Sequence, residues 1–163
     1  MVIDSVDALS ATLSYANFTL SAASVTTTAS NAQFQNAPNV LDIGVQAIGS
    51  SIPVTVRFNY YIVDGACPGC IDQIEVGLNT DSAPQACAYN GFPGPSGETG
   101  SGTAVINVPN VPGRYYISVD RSQDGGCFAS GQIWWTGPPF ASRYLAIVNV
   151  WTRIPLTATA RVN

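Results

Sequence analysis

The sequence predicts an all-β fold, an antiparallel β-sandwich of immunoglobulin-like or jelly-roll-like type with an N-terminal extended strand arm. Three observations lead there. Apolar residues recur at every second position in several stretches, Pro, Gly, Asn and Asp turn signals separate those stretches at sandwich-like spacing, and no segment shows helical periodicity. At 163 residues the chain has the length of one domain and can enclose a full hydrophobic core.

The first 40 residues differ from the rest. No charged residue stands between Asp7 and Asp42, and Ala8 to Thr28 reads as one or two long Ser/Thr/Ala-rich strands carrying Leu9, Leu13, Tyr15, Phe18, Leu20 and Val25. We divide the chain into an N-terminal arm, 1–40, and a sandwich domain, 41–163. Such an arm needs a partner: pairing inside its own subunit and donation to a neighbouring subunit both satisfy it, and the second would hold the chain ends in place as well.

The clearest strand follows, where Val54, Val56, Phe58, Tyr60 and Ile62 alternate with Thr55, Arg57, Asn59 and Tyr61. Ile74, Val76 and Leu78 alternate with Gln73, Glu75 and Gly77, and Tyr115, Ile117 and Val119 with Tyr116, Ser118 and Asp120, each giving one buried and one wetter face. Further strands are expected at about 10–22, 40–48, 84–90, 103–108, 131–136, 143–152 and 155–162. The run with Gly94, Gly97, Gly100 and Gly102 lacks apolar periodicity and reads as a flexible surface connection. Val111-Pro112-Gly113-Arg114-Tyr115 places a Pro-Gly turn before a Tyr-rich strand, an entry at which sandwiches use a Tyr hydroxyl to bond nearby backbone.

Composition limits the chemistry. Only 10% of residues are charged and 46% are hydrophobic, and the net charge of -4 includes no basic cluster, so nucleic acid is not an expected partner. The chain has no histidine, which removes the usual general base and most zinc and copper sites, and no lysine, which removes Schiff-base chemistry. No apolar run approaches 18 residues and no signal-peptide pattern is present, so no membrane span is expected and any export signal has been removed or lies outside this sequence. An enzyme is not expected.

Cys67, Cys70, Cys87 and Cys127 are even in number and have no histidine to complete a mixed metal site, which favours disulfides and an extracellular or cell-surface location. We expect Cys67 and Cys70 to pair with Cys87 and Cys127 in either order; a Cys67–Cys70 ring would act more as a redox switch than a staple. Asp120, Ser122 and Asp124, followed by Gly125, match the start of a calcium loop, so calcium is the one cofactor the sequence suggests. Gly131 stands where such a loop has its Glu, so Asp64, Asp72 or Asp81 would have to add ligands, and a polar hairpin tip is the competing reading. Asn17-Phe18-Thr19 is the single N-glycosylation sequon. Trp134, Trp135 and Trp151 fit either core packing or a sugar-stacking surface, with the core favoured.

Cys67-Pro68-Gly69-Cys70-Ile71-Asp72-Gln73-Ile74, the Val111–Ile117 segment, and Gly126-Cys127 ahead of Trp134-Trp135 resemble an uncharacterised family of extracellular β-rich domains with a CPGC motif, over roughly residues 60 to 150. That family is similar to environmental, pilus-like filament subunits that polymerise by inserting an N-terminal strand into the next subunit. The resemblance implies a homo-polymeric structural protein with no catalytic motif. Burying about five arm side chains at roughly 1.5 to 3 kcal/mol each would supply on the order of 10 kcal/mol to such a joint before ordering costs. The alternative is a secreted carbohydrate-binding, lectin-like module with glycans as partners.

Overall fold

A computed structural model describes residues 6–7, 13–15, 18–29, 32–34, 40–47, 49–64, 69–123, 126–128, 134 and 144–152. Among the described residues there is no helix, and eleven strands make two sheets: β1 (Val6–Asp7), β2 (Leu13–Tyr15), β3 (Phe18–Thr27), β4 (Ala32–Phe34), β5 (Val40–Gly44), β6 (Ser51–Ile62), β7 (Asp72–Leu78), β8 (Ala86–Gly91), β9 (Glu98–Pro109), β10 (Gly113–Ser122) and β11 (Tyr144–Trp151). The first sheet runs β1-β3-β6-β9, with β2 also paired to β3, and the second runs β4-β5-β11-β10-β7-β8. The all-β sandwich is therefore present.

The period-2 pattern decides the core. Ile52, Val54, Val56 and Phe58 of β6 and Ala104, Ile106 and Val108 of β9 turn one way, into the same buried cluster as Ile74, Val76, Ile117, Leu41 and Val148 of the second sheet. The opposite face of β6 and β9, with Arg57, Asn59, Tyr61, Ser101, Thr103 and Val105, is exposed. Pro53 sits inside β6 without breaking it. Thr27, the last residue of β3, pairs with Val54, so Pro53 lies just past the end of its neighbour, and its carbonyl accepts the Thr27 hydroxyl at 2.9 Å.

Four expectations need correction. Every ladder is antiparallel except β5 with β11, which is parallel; Asp42 and Asn149, bonded across that pair, are far apart in sequence, so no hairpin dictates their direction. The glycine run is not all loop: Gly100 and Gly102 belong to β9, which starts at Glu98. A Cβ on Gly102 would lie 2.6 Å from the Phe58 ring, so a neighbouring aromatic claims that space, and the glycine is a packing requirement within a strand. The polar side of β7 is not wet, since all seven of its residues are buried. Finally, position 40 is not a boundary of the fold: β3 is an interior strand of the first sheet and β4 pairs with β5 in the second.

The turn before β10 behaves as expected. Tyr115 returns its hydroxyl to the Val111 carbonyl at 3.0 Å, fixing the angle at which the strand leaves the Val111–Gly113 corner. Of the other expected strands, 131–136 and 155–162 fall outside the described residues apart from Trp134, which is not in a strand.

Candidate functional site

Two places concentrate unusual structure: the seat of the N-terminal arm and a covered polar patch on the second sheet.

The arm is paired within its own chain. Phe18 to Thr27 align with Ile62 to Val54 in eight Cα pairs, interrupted by a register shift between Ser21 and Ser24. On the far side of β3, Leu13, Ser14 and Tyr15 pair with Leu20, Thr19 and Phe18, and Val6 and Asp7 with Val25 and Ser24. The residues expected to form a donated strand thus form a small unit of their own, with Leu13 and Tyr15 opposite Leu20 and Phe18. Leu9 and Asn17 lie outside the described residues. Among the described residues, the ladders from β1, β2 and β3 reach the rest of the protein only through the β3–β6 seam. At the end of that seam Thr27 is 7% exposed; its hydroxyl oxygen accepts the Ala29 N–H at 3.2 Å while donating to Pro53. The chain then crosses to the second sheet, with Ala29 and Ala32 in the core.

The second place lies where β7, β8 and β10 run side by side. Ladder pairing sets Gln73 opposite Ser122 on one side and Asn90 on the other, and Glu75 opposite Asp120 and Cys87. Ser122 Oγ donates to Gln73 Oε1 at 2.8 Å, and Gln73 Nε2 donates to the Ile71 carbonyl at 2.8 Å. Gln73 is fully buried and Glu75 is 1% exposed, and Phe128 and Trp134 come up against this face. Phe128, held at φ 61°, gives its backbone N–H to Glu75 Oε1 at 3.2 Å, and Trp134 lies across Gly77 with its indole N–H on the Leu78 carbonyl at 3.0 Å. The Cys87–Cys127 disulfide, with 6.0 Å between Cα atoms, anchors that covering segment to β8.

This pairing corrects the expected connectivity: Cys87 and Cys127 bond to each other, not across to the CPGC motif. Cys70 is also disulfide-bonded, and Cys67 lies outside the described residues. An edge strand and the segment over it come close enough to bridge, which spacing along the chain could not reveal.

On the opposite, inward face of the same strands, Asp72 and Arg121 form a buried ion pair at the rim of the core. Arg121 also donates to the Val63 carbonyl at 3.1 Å, so the pair closes one end of the sandwich between the two sheets. Burial raises the Asp72 pKa above the ordinary carboxylate value, against the lowering effects of the Arg121 charge and a Gln123 hydrogen bond. Nearby, burial and then the Glu98 carboxylate, which accepts the Tyr89 hydroxyl at 2.9 Å, raise the Tyr89 phenol.

The structure places the calcium-loop residues differently from expectation. Asp120 and Ser122 are consecutive outward positions of β10, held extended by their pairing with β7; Asp120 Oδ1 accepts the Arg121 N–H at 2.9 Å. A calcium loop must curl such oxygens around one point, and a ladder holds them apart. They are also not a hairpin tip, and Asp124 lies outside the described residues. Asp81 is at the other end of β7, where it accepts the Leu78 N–H and the Gln85 side-chain amide. Among the described residues no group of three or more Cys, Asp or Glu side chains is gathered as a metal site.

Of the tryptophans, Trp134 is buried against β7, Trp151 is half-buried, and Trp135 lies outside the described residues. The sequence reading passed over Gln73, Glu75 and Arg121. The signal available was that Glu75 is one of only two glutamates and Arg121 one of six cations in a chain poor in charge.

No protein-family model, no curated protein and no solved structure matches this chain. Among the described residues no helix is long and apolar enough to cross a membrane.

Proposed function

We propose that the chain is a non-enzymatic structural subunit of an extracellular filament or surface assembly, polymerising head to tail by exchanging its N-terminal strand unit with the next copy. The observation that carries this reading is the single β3–β6 seam. A unit attached by one ladder can be replaced by the same unit from a neighbour, and every backbone pair is then recovered in trans. Closed monomer and open polymer differ mainly in the path of the chain between β3 and β4. The absence of charge between Asp7 and Asp42 removes the repulsion with which strands usually resist addition to a foreign sheet. The disulfide, which suits an oxidising location, points the same way.

Imaging of purified full-length protein by negative stain tests the proposal. Fibres are expected, and a chain lacking residues 1–29 is expected to give monomers or amorphous aggregate, because β6 then loses the strand on one of its two sides. Regular fibres from the truncated chain contradict it.

One observation favours a second reading, a carbohydrate-binding module. The exposed face of β6 and β9 carries Tyr61, 39% exposed, beside Arg57 and a hydrogen-bonded Asn59–Ser101 pair at 2.8 Å, a polar platform with one aromatic face. Monodisperse protein that binds a glycan array, and loses binding on Tyr61→Ala, selects this reading over the first.

A further inference from the structure

The Gln73–Ser122 contact has the parts of a self-forming covalent link. A primary amide and a hydroxyl from adjacent strands meet at 2.8 Å. The amide is gripped from two sides, its oxygen by Ser122 and its nitrogen by the Ile71 carbonyl, with Asn90 Oδ1 at 3.5 Å. Glu75, two positions along on the same face of β7, is 1% exposed, and its Cβ lies diagonally opposite Ser122 at a separation of about 7 to 8 Å, which a glutamate side chain can span. Gln73 itself is fully buried, with the Phe128 N–H on Glu75 and the buried Trp134 indole on the Leu78 carbonyl beside it.

We propose that Ser122 and Gln73 form an intramolecular ester joining β10 to β7. As Ser122 Oγ adds to the Gln73 side-chain carbonyl carbon, the Glu75 carboxylate takes the hydroxyl proton. Glu75 then delivers that proton to the amide nitrogen, the carbon–nitrogen bond breaks, and ammonia leaves. One carbon–oxygen bond replaces one carbon–nitrogen bond, the released ammonia carries the former hydroxyl proton, and no oxidant or co-reactant is needed. The ladder supplies proximity: a hydroxyl held against its electrophile reaches effective concentrations of about 10⁵ M or more. Loss of ammonia makes the step irreversible in dilute solution, and burial of Gln73 and Glu75 protects the ester from hydrolysis. The link would let tension pass from one strand to the next without relying on the hydrogen-bonded ladder.

The test is the intact mass of the full-length chain, denatured and with its disulfides reduced. Wild-type protein is expected to fall short of its sequence mass by one ammonia, whereas Ser122→Ala and Glu75→Gln proteins carry the full mass. Trypsin places Gln73 in the peptide 58–114 and Ser122 in 122–143, with Cys87 and Cys127 in the same two peptides. The pair should therefore stay joined after reduction and separate only on mild alkaline hydrolysis. A wild-type chain at full sequence mass overturns the proposal, as does a deficit that persists in Ser122→Ala. A deficit that persists in Glu75→Gln removes Glu75 from the mechanism. Mass does not depend on the state of assembly, so this result stands apart from the fibre experiment.

Discussion

The two sheets solve the same problem by different means. In β6 and β9 of the first sheet, exposure alternates residue by residue, with a dry face on the core and a wet face of Thr, Ser, Asn, Arg and Tyr. In β7 of the second sheet both faces are buried, although Gln73, Glu75 and Gly77 alternate with Ile74, Val76 and Leu78 just as clearly. Alternation therefore reports which face is apolar, and says nothing about whether the polar face meets water. In β7 that face meets a segment of the same chain, and its polar groups are satisfied by Ser122, the Ile71 carbonyl and the Phe128 N–H. The first sheet is joined to its arm by one seam, while the second is closed by an ion pair, a disulfide and hydrogen bonds.

The contrast is sharpened most by removing the ion pair. Arg121→Ala leaves Asp72 buried without its cation, and the expected loss is about 3 to 5 kcal/mol in urea unfolding. A loss below 1 kcal/mol would mean that the rim of the sandwich admits water and that the second sheet is not sealed there. Cys87→Ser with Cys127→Ser opens the anchor of the covering segment. The expected cost is about 2 to 4 kcal/mol, together with faster hydrogen exchange at the β7 amides while those of β6 stay protected. Equal acceleration in both sheets would contradict their division. The smallest effect is expected in the first sheet: Gly102→Ala sets a methyl against the Phe58 ring and should cost about 1 to 3 kcal/mol by thermal unfolding. The double change Gly102→Ala, Phe58→Leu should recover part of that loss.

Much of this fold was legible from the chain itself. The strands β6, β7 and β10 stand at the residues where period-2 alternation puts them, and the Tyr115–Val111 bond follows from a Pro-Gly corner. What escaped has physical reasons. Gly100 and Gly102 looked like loop because a glycine advertises flexibility, and only the facing Tyr60 and Phe58 rings reveal that it provides room. Asp120 and Ser122 looked like ligands because spacing shows the oxygens and not the ladder that extends them. The Cys87–Cys127 pairing and the Gln73–Ser122 contact join residues 40 and 49 positions apart, which no local pattern encodes. The arm read as a unit awaiting a partner; the sequence left its partner open, and in this single chain the partner is β6.

The central claim is that this seam is exchanged between copies, and one crosslink tests it directly. Thr26 and Thr55 are opposite one another in the β3–β6 register, on the face away from the core. A Thr26→Cys, Thr55→Cys protein, oxidised after assembly and run denatured without reductant, should give a ladder of covalent multimers that collapses to monomer on reduction. A single monomer band with the new bond mapped inside one chain would contradict the account, because the arm would then belong to the subunit that made it.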